Sequence, residues 1–125
     1  MGRRDKREQV FKKYHGRCAY TGTVLQEDWQ MDHLVPKSRG GTHHIDNLVP
    51  CQKIVNHYKR SLSVDEFRIW YLGGLHNRLK KLPKNPKTQQ SIKRKKYLFE
   101  LAELFGITPE KPFCGTFYFE KEREV

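Results

Sequence analysis

Asp32 and His33 stand side by side in the run MDHLVP, and Asn47 and Asn56 follow within the next 23 residues. An imidazole titrates near neutral pH and can take a proton from water. A carboxylate and an amide carbonyl are oxygen ligands of the kind a hard divalent cation prefers. Hydrolysis of a phosphodiester needs an activated water, neutralised charge at the phosphate and help for the leaving oxygen. His33, Asp32 and Asn56 supply those residue types.

Their positioning sets a demand on the chain. Neighbours on a strand point to opposite faces. Asp32 and His33 can serve one site only if a cation sits beside the strand edge and the helix carrying Asn56 packs across it. The residue pattern predicts such a frame. WQMDHLV, residues 29–35, reads as a strand ended by Pro36. KSRGGTHHID, residues 37–46, is a polar loop broken at Gly40-Gly41. NLVP, residues 47–50, is a short second strand, and residues 51–60 form a helix with Ile54 and Tyr58 on one face.

Flanking elements follow from the same signals. Val10, Phe11 and Tyr14 predict a helix over residues 3–15 that Gly16 stops. CAYTG, residues 18–22, reads as a turn. Ser63 with Glu66 three residues on is a capping box opening another helix. Phe67, Trp70 and Tyr71 form its apolar side until Gly73-Gly74. Pro83 and Pro86 mark a linker, followed by a helix from about Thr88 that packs Ile92, Tyr97, Leu98, Leu101 and Leu104. The tail 113–120 alternates after Gly115 and reads as a late strand. Trp29 and Trp70 are assigned to the core, given the area an aromatic buries. The expected class is α+β in one domain over residues 1–125, with a core at about 18–60, a basic helical extension at about 63–105 and the strand-like tail.

Charge narrows the partner. The 125 residues carry 25 Lys and Arg against 14 Asp and Glu, a formal charge of +11. That excess favours a polyanion. A membrane surface fits poorly, because the basic segments lack an amphipathic apolar face with Trp anchors and no apolar run approaches about 18 residues. Nine Lys or Arg fall between Arg78 and Lys96, with no acid between Phe67 and Phe99. Such a run suits sequence-independent phosphate binding that weakens with salt; its plain alternative is a solubilising linker. Aromatics are sparse there, so stacking on single strands is not indicated. Cys18, Cys51 and Cys114 are odd in number and irregular in spacing, which argues against a disulfide framework; with no long apolar run, the expectation is a soluble protein of a reducing, cytoplasmic compartment, and a bacterial or phage-like source is expected beside it.

Taken together, CAYTG, MDHLVP, the Gly-Gly loop, IDNLVP and NHYK resemble the HNH endonucleases. The steps from His33 to Asn47 (14 residues) and from Asn47 to Asn56 (9 residues) are similar to those of the HNH domain of RNA-guided CRISPR nucleases. The resemblance implies a small ββα-metal core flanked by helices. It implies DNA as substrate, one Mg²⁺ or Mn²⁺ per active site, and products with 3′-hydroxyl and 5′-phosphate ends. His33 would be the general base and Asp32 a metal ligand. Asn47 would brace the loop and orient His33. Asn56 would be the second metal ligand, with His57 as the alternative, since both cannot share one position on a helix. Lys59 would contact phosphate; apart from the resemblance, Lys37, Arg39, Arg60, Lys80, Lys81, Lys93 and Arg94 are the further candidates for nucleic-acid binding.

Many relatives carry two CxxC pairs for a structural zinc. Here Cys18 is followed by Thr21 and Cys51 by Ile54, so no structural zinc is expected and the thiols read as small buried residues. His43 and His44 are read as surface loop residues, one of which could touch DNA. His15 and His76 are assigned to the surface. One such site cuts one strand; a homodimer or a larger protein partner would be needed for double-strand cleavage or target choice. The rival reading is a non-catalytic basic nucleic-acid-binding module on the same ββα frame.

Overall fold

The computed structural model describes residues 3–121. Two short antiparallel strands form its sheet, β1 (Gln30–His33) and β2 (Leu48–Cys51), with Asp32 opposite Val49 and His33 opposite Leu48. A two-stranded ribbon is marginal alone and needs a packed face. β2 supplies one: all four of its residues are buried. Pro50 cannot donate to a ladder, but its carbonyl accepts from the Ala19 N–H at 2.8 Å, tying the 17–24 turn to the strand.

α1 (Arg3–Lys12) docks on the outer side of this ribbon. Val10, Trp29 and Leu48 form a small apolar cluster there. Lys13 donates to the carbonyls of Ile45 (3.0 Å) and Leu48 (2.7 Å), fastening the end of α1 to the start of β2. α2 (Lys53–Lys59) follows β2 and crosses β1, with Val55 and Lys59 turned inward. The result is the strand, loop, strand and helix order that the pattern predicts, in a mixed α+β class.

The larger core lies on the far side of α2. Ser63 and Glu66 form the expected capping box at α3 (Val64–Glu66), which runs into a π turn over Phe67–Tyr71. A 3₁₀ turn at Leu72–Gly74 leads to α4 (Leu75–Lys81), and Thr88 caps α5 (Gln89–Leu104). Phe67 is fully buried and stacks on Phe117 at 6.0 Å, with Tyr20 edge-on to both.

Three expectations are corrected here. The tail is no strand: Gly115 takes a positive φ of 93°, Glu120 accepts from the Phe117 N–H, and Tyr118–Lys121 forms a short helix, α6. Phe117 and Phe119 alternate in sequence, yet both join the aromatic cluster. Trp70 is not core but 69% exposed, because the π turn points Phe67 inward and leaves Ile69 and Trp70 outside. On α5, Leu98 and Leu101 are buried as expected, whereas Ile92 and Tyr97 are exposed.

Candidate active site

Alternation along β1 separates the two adjacent groups. Gln30 and Asp32 share one face and His33 the other. α2 packs across the Gln30/Asp32 face, so residues three apart on the helix meet residues two apart on the strand: Asn56 bonds Gln30 and Lys59 bonds Asp32. A cleft of about 340 Å³ opens beside this crossing, lined by Asp32, His33 and Asn56 together with Lys37, Arg60 and Ser61. Two elements, β1 and α2, thus bring the predicted trio to one depression.

Asp32 is only 4% exposed, a costly place for a carboxylate without partners. It has two. The Tyr20 hydroxyl donates to Oδ2 at 2.5 Å, and the Lys59 ammonium stands 3.0 Å from the same oxygen. Burial and the Asp32 charge push the Tyr20 phenol well above its usual range, which keeps it a proton donor. Both partners approach Oδ2.

Lys59 requires a correction. It was expected to reach a phosphate, but its exposure is 0%, and its ammonium is shared between Asp32 and the His33 carbonyl at 3.1 Å. A buried, doubly engaged ammonium cannot extend to a DNA backbone. Its role is to compensate Asp32 and fix the end of β1.

Asn56 and His57 separate cleanly. The Asn56 amide donates through Nδ2 to Gln30 Oε1 at 2.6 Å, which turns its carbonyl oxygen the other way. Asn56 lines the cleft with Asp32 and His33. His57 is rotated about 100° around α2. It packs edge-on against Tyr58 and lines a different, larger cleft of about 650 Å³ with Gln52, Tyr97 and Glu100.

The loop between the strands is held by Asn47. Its Oδ1 accepts from the Val35 N–H at 2.9 Å, and its Nδ2 donates to the carbonyls of Val35 (3.0 Å) and Thr42 (2.8 Å). One amide therefore closes both ends of the loop that follows His33. Gly41 completes the closure: a Cβ there would collide with the Val35 carbonyl. His33 is partly buried, and its Nε2 lies 3.2 Å from Nδ1 of His43. Burial, then His43 and Lys37, lower the His33 pKa, which favours the neutral imidazole; Asp32 opposes them.

The remaining cations are spread over the surface. Lys37 and Arg60 line the cleft, and Arg39 is paired with Glu66. Lys80, Lys81, Lys93 and Arg94 are exposed on α4 and α5, and only Arg94 lines a depression that Arg60 also borders. Tyr20 and Gln30 are not among the residues the sequence assigns to the site, and His43 is read there only as a loop residue that could touch DNA. Gln30 had a signal, since it sits two residues before Asp32 on a strand; Tyr20 and His43 depend on tertiary folding.

An oxygen-ligand pair fits a hard cation. Asp32 Oδ1 and the Asn56 carbonyl are the candidate ligands, and two ligands suffice for a cation that keeps several waters, as Mg²⁺ does. Among the described residues no group of three His, Cys, Asp or Glu side chains is placed to hold a metal. Cys18 and Cys51 are both buried, and the Cys51 thiol donates to the Gln52 carbonyl at 3.3 Å. Burial resists ionisation of Cys18, but bonds from Cys51, Thr21 and the Gln52 backbone outweigh it and bring that thiol to about 6, while burial and Cys18 push Cys51 up.

Residues 16–53 match the HNH endonuclease family model. The matched segment holds Asp32, His33 and Asn47 and ends within the first turn of α2, ahead of Asn56. No curated protein matches the chain, and no solved structure does. No described helix is long and apolar enough to cross a membrane.

Proposed function

We propose, from the match of residues 16–53 to the HNH endonuclease family model, that this chain hydrolyses DNA phosphodiester bonds at the Asp32, His33 and Asn56 cleft. The observation that carries the reading is the convergence of those three side chains on one depression from β1 and α2. His33 takes the proton of the attacking water on its neutral imidazole. Asp32 and Asn56 present oxygen atoms to one Mg²⁺ or Mn²⁺. When bound, such a cation would supply Lewis-acid neutralisation of the phosphate and of the leaving 3′ oxygen. Asn47 holds the loop closed behind His33, and Lys59, 3.0 Å from the Asp32 carboxylate, holds it in place. Lys37 and Arg60, exposed at the cleft, would draw the phosphate backbone. The products would carry 3′-hydroxyl and 5′-phosphate ends. One such site cuts one strand, so a monomer nicks; double-strand cleavage would take a second copy.

Supercoiled plasmid incubated with Mn²⁺, with and without chelator, tests this directly. The expected result is conversion to the nicked circle that chelator stops. His33→Ala is expected to lower the cutting rate by about 10²–10⁴-fold while leaving plasmid binding intact, because an imidazole at the floor of the site adds little affinity. Binding without metal-dependent cutting by the wild-type chain would instead support the non-catalytic module.

A further inference from the structure

The loop contributes a second imidazole. His43 Nδ1 lies 3.2 Å from His33 Nε2, and the two rings stand 5.4 Å apart at 35°. This contact is supported on several sides. Asn47 grips the Thr42 carbonyl immediately before His43, and Lys6 of α1 donates to the His43 carbonyl at 2.8 Å. Gly41 lets the chain lie against Val35 and Pro36. His33 lines the cleft and His43 does not.

A neutral imidazole has one N–H and one lone pair. If His33 Nε2 accepted from His43, its proton would sit on Nδ1 and no nitrogen would remain to take another from water. If His33 donates from Nε2–H to His43 Nδ1, its own Nδ1 keeps the lone pair. Only the second arrangement is compatible with a base. When a water proton arrives at Nδ1, the Nε2–H bond to His43 persists and becomes charge-assisted, which strengthens it. No proton needs to pass to His43.

We infer that His43 is a positioning residue that fixes His33 in the Nε2–H tautomer and aims its Nδ1 at the attacking water. The inference rests on the reading of His33 as the general base. It assigns a task to a residue that sits in a polar loop ten positions downstream and that spacing alone leaves on the surface.

Three variants and two readouts test it. In His43→Ala the acceptor is gone. In His43→Asn the side-chain oxygen occupies roughly the place of Nδ1 and can accept the same bond. His33→Ala reports on the base itself. On supercoiled plasmid with Mn²⁺, His43→Ala is expected to lower kcat about tenfold to a hundredfold, by analogy with residues that orient ligating imidazoles. KM should stay near the wild-type value, and His43→Asn should recover most of the loss. In the metal-free protein, ¹⁵N spectra should show neutral His33 as the Nε2–H tautomer in wild type and His43→Asn, and as a mixture in His43→Ala.

A raised KM at unchanged kcat would make His43 a DNA contact and overturn the inference. Equal losses in His43→Ala and His43→Asn, no loss in either, or a wild-type His33 protonated at Nδ1 would also overturn it. Should His33→Ala cut at the native rate, the base assignment itself fails. An inactive His33→Ala beside a fully active His43→Ala refutes the positioning role alone.

Discussion

The two faces of α2 look onto two clefts, and the smaller gathers the residue types that the proposed reaction needs. The roomier one, about 650 Å³, is lined by His57, Tyr58, Tyr97 and Glu100 from α2 and α5, with Gln26, Asp28 and a Gln52 that donates to Thr23 and to the Val24 carbonyl. The smaller, about 340 Å³, gathers Asp32, His33 and Asn56, and behind each stands a partner that fixes it. Tyr20 and Lys59 hold Asp32, Gln30 turns Asn56, and His43 touches His33. Chemistry follows from supported side chains rather than from volume. In the larger cleft, among the described residues, His57 has only ring contact with Tyr58 as an interaction of comparable specificity.

Exchanging the faces is the sharpest way to break this contrast. Asn56→Ala is expected to reduce plasmid cutting by more than about tenfold, in line with the loss of a ligand or its orienter, while His57→Ala leaves the rate within about twofold of wild type. Both rates would be measured under single-turnover conditions. The opposite ranking would move the ligand one residue along α2.

Removing a support rather than a ligand gives the next effect. Lys59→Met strips the buried Asp32 of its counter-charge, and breaking a fully buried pair costs about 3–5 kcal/mol. Thermal unfolding of the metal-free protein should show it as a fall of many degrees. A phosphate-contacting lysine would instead lower DNA affinity with stability unchanged. A smaller effect is expected from Gly41→Ala, where the new methyl meets the Val35 carbonyl; overpacking of this kind costs about 1–3 kcal/mol. Its loss of cutting should exceed what the fall in stability explains, since the displaced loop carries His43.

The frame of the site was legible in the sequence because its signals are local. Alternation marks β1, the Pro36 stop and the Gly-Gly break mark the loop, and Ser63 with Glu66 marks α3. The motif points to Asn47 as a loop brace, and its amide makes three bonds that close the loop between Val35 and Thr42. Long-range choices were not legible. Lys59 lies three residues after Asn56, which places it on the Asn56 side of α2 without saying whether its ammonium goes outward or under β1. Trp70 was misplaced because apolar spacing assumes a regular helix, and a π turn rotates the face. The tail was misread because alternating phenylalanines resemble a strand, while a positive-φ Gly115 and the Glu120 cap favour a helix. The Tyr20 and His43 contacts bridge 12 and 10 residues of sequence and depend on the finished fold.

The central claim concerns one ion and two oxygens, so the most direct measurement is a crystal of the wild-type chain soaked with Mn²⁺ and read by anomalous scattering. The account predicts a single peak in the smaller cleft, about 2.0–2.3 Å from Asp32 Oδ1 and from the Asn56 carbonyl oxygen. A peak on His57, or Asp32 and Asn56 failing to share one ion, would contradict it.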